Sequence, residues 1–371
     1  MTRNDITEPK AWPGPTGGHH MSDQIWVLGA TGRSGRGIAE LLHASGRKLV
    51  LAGRNASALR ALADRLGSAD TATGSLDSLL AQLRDAAPAV VVNTVGPFAQ
   101  TTARVIGACP PGTHYVDIAN EIPAFEQALD QHDTAVGRGS TIVTGAGFGV
   151  LATESLVARM CAQWPGPARV RVDAIASLAI GEGVIGSALA GSILDGLPDG
   201  GRQVERGRLV RAGLAGQRQR LTTPDGDPVT TSLLPSGDLI AAWRTSGAGV
   251  VVSGSAMLPS GPAARVLLPA VSLLARVSVL RRFAIDRLAR VRTRPREMER
   301  RSSWGHCAME WPDGTRREGW LRLGDAGDFT SAATAEVARR LAGQDVAAGA
   351  YTPAALFGPS LAVDLGGEFI M

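Results

Sequence analysis

Gly29, Gly32 and Gly35 are spaced to expose backbone N–H groups to a phosphate at the start of a helix, which is the chemistry of a dinucleotide-binding turn. The intervening residues of Gly29-Ala30-Thr31-Gly32-Arg33-Ser34-Gly35 are small apart from Arg33. Arg54, followed by Asn55 and Ser57, supplies a guanidinium where such folds choose their cofactor. A carboxylate there binds the ribose 2′-hydroxyl of NAD(H), whereas arginine accommodates the 2′-phosphate of NADP(H). Arg33 adds a second positive charge, so NADP(H) is the expected cofactor. A further cluster, His114, Tyr115, Asp117 and Glu121, carries side chains able to pass a proton to a substrate.

Rigid elements must hold these residues. Ile25–Leu28 is an apolar run ending at the first glycine, and Ile38, Leu41 and Leu42 follow at helical spacing up to a C-cap at Gly46. Lys48–Arg54 then reads as a second buried strand, completing the βαβ unit that the glycine motif requires. A third strand is expected near Thr71–Thr73, with a helix over Leu76–Leu83 and a clear buried strand over Ala89–Val95. A helix through Ala103–Ala108, a strand over His114–Ile118, a helix over Phe125–Val136 and a strand over Thr141–Thr144 complete the series. The predicted fold is therefore α/β: a Rossmann-type parallel sheet of about six strands.

Past Gly149 the texture changes to longer strands, Ala168–Ser177 and Ser302–Glu310, with a hairpin turn at Trp311-Pro-Asp-Gly-Thr315. This half reads as an α+β substrate domain. The expected organisation is a disordered tail over 1–23, with Met21 an alternative start, then an NADP-binding domain over 24–150. A substrate and dimerisation domain spans 151–345, and a C-terminal segment, 346–371, returns to the first domain. Residues 263–291 are apolar at first and then rich in arginine, but Pro269 and Arg276 interrupt them before a membrane-spanning length is reached. A helix packed on its own domain or on a second subunit is the main reading, and a basic amphipathic helix touching a membrane or a carrier is the alternative.

Composition narrows the function further. The chain has 371 residues, 44% of them hydrophobic, and a net charge of +4 carried almost wholly by arginine, with lysine at Lys10 and Lys48 alone. Aromatic content of 4% leaves few aromatics to interleave with basic residues, which argues against nucleic acid. Cys109, Cys161 and Cys307 lie far apart, giving neither a disulfide framework nor a zinc motif, and a reducing cytoplasm fits. No second ligand cluster accompanies His114, Asp117 and Glu121, so no metal is expected. Neither Tyr115 nor Tyr351 has a lysine four residues on, which excludes the tyrosine–lysine mechanism of short-chain dehydrogenases. A nucleophile elbow and a P-loop are also missing.

Asn93-Thr-Val-Gly-Pro-Phe98, Cys109, Gly112-Thr-His-Tyr-Val-Asp-Ile-Ala-Asn-Glu121, Gly145-Ala-Gly-Phe-Gly149, Pro235-Ser-Gly-Asp-Leu239 and Thr352-Pro-Ala-Ala-Leu-Phe-Gly358 together resemble the saccharopine dehydrogenase superfamily of NADP-dependent reductases. The tail motif and the shorter length are more similar to its trans-acting enoyl reductase branch. The resemblance implies that Gly29–Gly35 and Arg54 meet the cofactor phosphates. It implies that Asn93, Val95, Gly96 and Pro97 lie at the nicotinamide ribose, with Tyr115, Asp117, Phe98 and Phe148 around the substrate. Gly74-Ser75, with Asp77 slightly later, stands where the family shows an aspartate, and Asn120-Glu121 replaces its Gly-Glu.

The expected activity is NADPH-dependent hydride transfer to an enoyl-type or related unsaturated, rather apolar small molecule, with Tyr115, Asp117 or Glu121 as proton donor. Asp117 and Glu121 equally suit helix capping, and His114 suits a structural role. The alternatives are reduction of an amino-acid imine, as in saccharopine formation, and an NADP(H)-binding sensor or scaffold without turnover. A homodimer is a further expectation.

Overall fold

A computed structural model describes residues 22–67, 69–177, 183–184, 201–213, 216–256, 287, 290, 292–293 and 300–371. The expected tail, with Met21, lies outside the described residues except for its last two positions, as does nearly all of 263–291.

The first half alternates strand and helix: β1 (Ser22–Leu28), α1 (Arg33–Ala44), β2 (Leu49–Gly53), α2 (Ala56–Arg65), β3 (Asp70–Thr73), α3 (Leu76–Ala86) and β4 (Pro88–Asn93). It continues through α4 (Phe98–Ala108), β5 (His114–Asp117), α5 (Ile122–Leu129), α6 (His132–Gly137), β6 (Thr141–Val143) and α7 (Phe148–Gln163). Strands β2 and β4 are buried along nearly their whole length, as a parallel sheet covered on both faces requires. Asn55 and Ser75 cap α2 and α3 by accepting the N–H of Ala58 and Ser78. The single helix expected over Phe125–Val136 is two, because the chain breaks at Asp130 and Gln131 between α5 and α6.

The second half contains β7 (Arg169–Ile175), β8 (Gly183–Val184), β9 (Gly201–Glu205), β10 (Arg208–Ala212), β11 (Gln219–Thr222), β12 (Pro228–Leu233), α8 (Gly237–Ser246), β13 (Val250–Ser255) and β14 (Arg292–Thr293). β15 (Ser303–Glu310), β16 (Arg316–Leu323), α9 (Ala326–Leu341), β17 (Gly349–Tyr351), α10 (Pro353–Phe357), α11 (Ser360–Asp364) and β18 (Glu368–Ile370) complete it. Trp311 N–H donates to Thr315 O at 2.9 Å, closing the expected hairpin between β15 and β16.

The first sheet runs β17-β6-β5-β4-β1-β2-β3, and every pairing in it is parallel. It therefore has seven strands rather than about six, the seventh being the short β17 from the C-terminal part of the chain. The order reverses between β1 and β4, which opens a crevice at their carboxyl ends. The second sheet is mixed and follows β10-β9-β13-β7-β15-β16-β18, with the β11–β12 hairpin joined to β13. One face of it packs on α7 and α8 through Val170, Val172, Cys307 and Met309, continuous with the main core. The other face carries a small separate cluster of Ile175, Val229, Trp304 and Trp320.

Candidate active site

The glycine turn sits at the crevice. Gly29 has φ +81°, a conformation that side-chain-bearing residues rarely adopt, and its N–H donates to Ala52 O at 2.9 Å, tying the turn to β2. A Cβ on Gly35 would lie 2.3 Å from Gly29 O, so only glycine lets the first turn of α1 fold back onto the loop. Gly32 caps α1 without a side-chain hydrogen bond, and no acidic residue occupies its first turn. The helix end therefore keeps its positive potential for an anion. Thr94, just past β4, donates its hydroxyl to Leu28 O at 2.7 Å and joins the two strand ends that flank the crevice.

Among the expected cofactor residues, Ala30 is buried, Thr31 and Ser34 are half-buried, and Gly32 and Arg33 are exposed. Arg54 projects exposed from the end of β2, next to Asn55 and Ser57, which are hydrogen-bonded to each other at 2.8 Å. Val95, Gly96 and Pro97 are half-buried at the end of β4. The glycine cradle and the exposed guanidinium fit the phosphates of a dinucleotide. The carboxyl end of β4 fits its nicotinamide half.

Asn93, Tyr115 and Asp117 are brought together, but inside the protein. The Asn93 amide donates to Tyr115 Oη at 3.0 Å, and that phenol donates to Asp117 Oδ2 at 2.8 Å. Asp117 Oδ1 accepts from Thr144 Oγ1 at 3.0 Å, Gly145 N at 2.9 Å and Ala119 N at 3.1 Å. Asn93 Oδ1 in turn accepts Val95 N–H at 3.0 Å, and Thr101 donates to Val95 O at 2.6 Å. The chain of bonds stitches the ends of β4, β5 and β6. Burial and the adjacent Asp117 charge push the Tyr115 phenol well above its usual range. Burial also raises Asp117 to about 6, against the hydrogen bonds it accepts.

Four of the expected catalytic and substrate residues lie deeper than expected. Tyr115 is 1% exposed and Asp117 0%, and both hydrogen-bond within the chain. Phe98 and Phe148 are core residues at the starts of α4 and α7, each 7% exposed, and Phe148 meets Phe329 edge to face at 6.4 Å. Burial lowers His114, whose Nδ1 accepts Thr141 N–H at 3.0 Å, in keeping with its structural reading.

Glu121 is placed differently. Half-buried, it caps α5 and accepts Phe98 N–H at 3.3 Å and Asn120 N–H at 3.1 Å, so its carboxylate sits beside the Gly96-Pro97 loop at the start of α4. Its neighbour Asn120, noted in the sequence only as a departure from the family motif, has backbone and side-chain oxygens that both accept Gly237 N–H at 2.9 Å and dock α8 against the end of β5. Sequence reading missed Thr330 of α9, which accepts Phe148 N–H at 3.1 Å. The Asn120–Glu121 and Ser236–Asp238 motifs marked these contact points, but not that they touch. Among the described residues no group of three or more histidine, cysteine or acidic side chains suits a metal. Nor is any helix there long and apolar enough to cross a membrane.

No protein-family profile matches the sequence, and no curated protein does. Solved structures do match. The apo histidine-tagged saccharopine dehydrogenase (L-Glu forming) of Saccharomyces cerevisiae superposes at TM-score 0.58 and 12% identity, covering 94% of this chain and 100% of that one. The chain has the saccharopine dehydrogenase fold. A probable dehydrogenase of Thermotoga maritima aligns at TM-score 0.46 and 11% identity, covering 92% of this chain and 94% of that one.

Proposed function

We propose that the protein is an NADP(H)-dependent oxidoreductase that transfers hydride to or from a carbon–nitrogen centre of an amino-acid-derived substrate. The observation that carries the cofactor half is the glycine turn at the β1/β4 crevice, with Arg54 rather than a carboxylate at the end of β2. Gly29–Gly35 would hold the pyrophosphate, Arg54 and Arg33 the 2′-phosphate, and Val95–Pro97 the nicotinamide ribose. When bound, the cofactor supplies the hydride, and the protein holds and shields the reacting carbon.

The carbon–nitrogen reading is supported by the shared fold with saccharopine dehydrogenase over the whole of that chain. It is also supported by Glu121, a carboxylate next to the nicotinamide end of the crevice. An iminium or ammonium nitrogen is complemented by a carboxylate, whereas an enoyl carbonyl calls for a donor. The test is NADPH oxidation against matched panels of imines and enoyl thioesters, using wild type and Glu121→Gln. Turnover with imines only, reduced in the variant while NADPH affinity is kept, supports this reading. Turnover with enoyl thioesters only replaces it with the enoyl reductase reading, and NADPH binding without turnover leaves the sensor reading.

A further inference from the structure

A cavity of about 650 Å³ lies away from the glycine turn, on the second sheet. Its volume falls within the range of small-molecule sites, about 300–1,000 Å³. Among the described residues its lining includes Arg169, Arg171, Gln219, Glu310, Arg316 and Glu318, with Ala308 between them. Register places those on β7, β15 and β16 on one face. Glu310 pairs with Arg169 and Arg316, and Ala308 pairs with Arg171 and Glu318, on neighbouring strands of β7, β15 and β16. Val170, Val172, Cys307 and Met309 alternate with them and point to the core under α7, so the cavity opens on the opposite side.

The charges there are not all matched to each other. Arg171 donates to both oxygens of Asp173 at 3.0 and 2.8 Å, and Arg316 pairs with Glu310 at 3.0 Å. Among the described residues Arg169 makes no ion pair, and the one charged or titratable group within ion-pair distance of Glu318 is the ring of His306, Oε2 lying 3.7 Å from Nε2; the Glu318 side chain is 64% exposed. His306 is itself fully buried, with Nδ1 3.0 Å from Asp173 Oδ2 and Trp320 against its ring at 4.4 Å. Burial alone would raise Asp173, but its bonds to His306 and Arg171 hold it below the usual carboxylate range. Among the described residues His306 Nε2 is buried with no hydrogen-bond partner. A buried polar atom without a partner is costly.

We propose that this outer face is a binding site for a small zwitterion, whose carboxylate meets Arg169 and whose ammonium group meets Glu318. Arg169 and Glu318 stand two strand spacings and two register positions apart, about 12 Å between backbones, so an extended zwitterion spans them better than a compact one. The site is separate from the nucleotide crevice and stands independently of the proposed activity.

The test uses the full chain and three probes of matched length: 5-aminopentanoate, pentanoate and pentylamine, titrated by calorimetry and by tryptophan fluorescence, to which Trp320 contributes. The zwitterion is expected to bind about tenfold more tightly than either half-molecule, and Arg169→Gln or Glu318→Gln each to weaken it by about tenfold. Both positions are exposed, and both variants should keep wild-type NADPH affinity and melting temperature. Equal binding of pentanoate and 5-aminopentanoate, unchanged affinity in both variants, or no binding at millimolar concentration overturns the proposal. A protein that binds the zwitterion but neither nicotinamide cofactor would sustain the site and defeat the proposed function.

Discussion

Replacing Tyr115 with phenylalanine separates positioning from catalysis. The phenol makes two hydrogen bonds in a fully buried setting, accepting from Asn93 at 3.0 Å and donating to Asp117 at 2.8 Å. The first is a neutral bond, at about 0.5–1.5 kcal/mol, and the second goes to a carboxylate, at about 1.5–3 kcal/mol. Removing one oxygen leaves almost no void, so the loss is about 2–4 kcal/mol from the bonds alone. For a chain of this size, with an unfolding entropy of about 0.8 kcal/mol/K, that lowers the melting temperature by roughly 3–5 °C. Because the same bonds stitch the ends of β4, β5 and β6, NADPH affinity should fall as well. The assay is thermal unfolding with and without NADPH, alongside single-turnover hydride transfer. A melting temperature within about 1 °C of wild type, combined with a turnover loss above about 100-fold, would refute the reasoning and restore Tyr115 as the proton donor.

Gly35→Ala should abolish nucleotide binding and destabilise the turn, since its Cβ would fall 2.3 Å from Gly29 O; isothermal titration with NADPH checks this, and retained affinity would show that the turn does not bind the pyrophosphate. Glu154 is buried on α7, accepts Ala354 N–H at 3.0 Å and is hydrogen-bonded by Thr352, and burial raises it from 4.5 to about 7. A carboxyl raised on folding contributes stability at low pH that is lost as pH climbs from about 4.5 to about 7. The stability advantage of wild type over Glu154→Gln should accordingly shrink by about 3 kcal/mol across that window in denaturant titrations, and a constant gap would contradict the shift.

Much of the first sheet was legible because its signals are local. Apolar runs such as Ala89–Val92 and the glycine spacing at 29–35 are strand and turn signatures that need no distant partner. β17 was not, since Gly349-Ala-Tyr351 is too short and too small to carry a pattern; it becomes a strand only by pairing with β6. Tyr115 was read as catalytic from its residue type. Its inward orientation depends on Asn93 and Asp117 closing around it, and strand parity alone does not show that closure. Glu121 was identifiable from its motif, but the contact with Phe98 N–H that places it at the crevice depends on how α4 and α5 pack. The Asp173–His306 pair joins residues 133 apart through cross-strand register, which local spacing cannot reveal.

The central claim is tested most directly by fluorescence titration of NADPH and NADH into wild type and Arg54→Asp. The account predicts that wild type prefers NADPH and that Arg54→Asp weakens NADPH by about 100-fold while barely changing NADH, the loss expected for a charge-assisted guanidinium contact to a phosphate. Equal weakening of both nucleotides, or binding of neither by wild type, would contradict it.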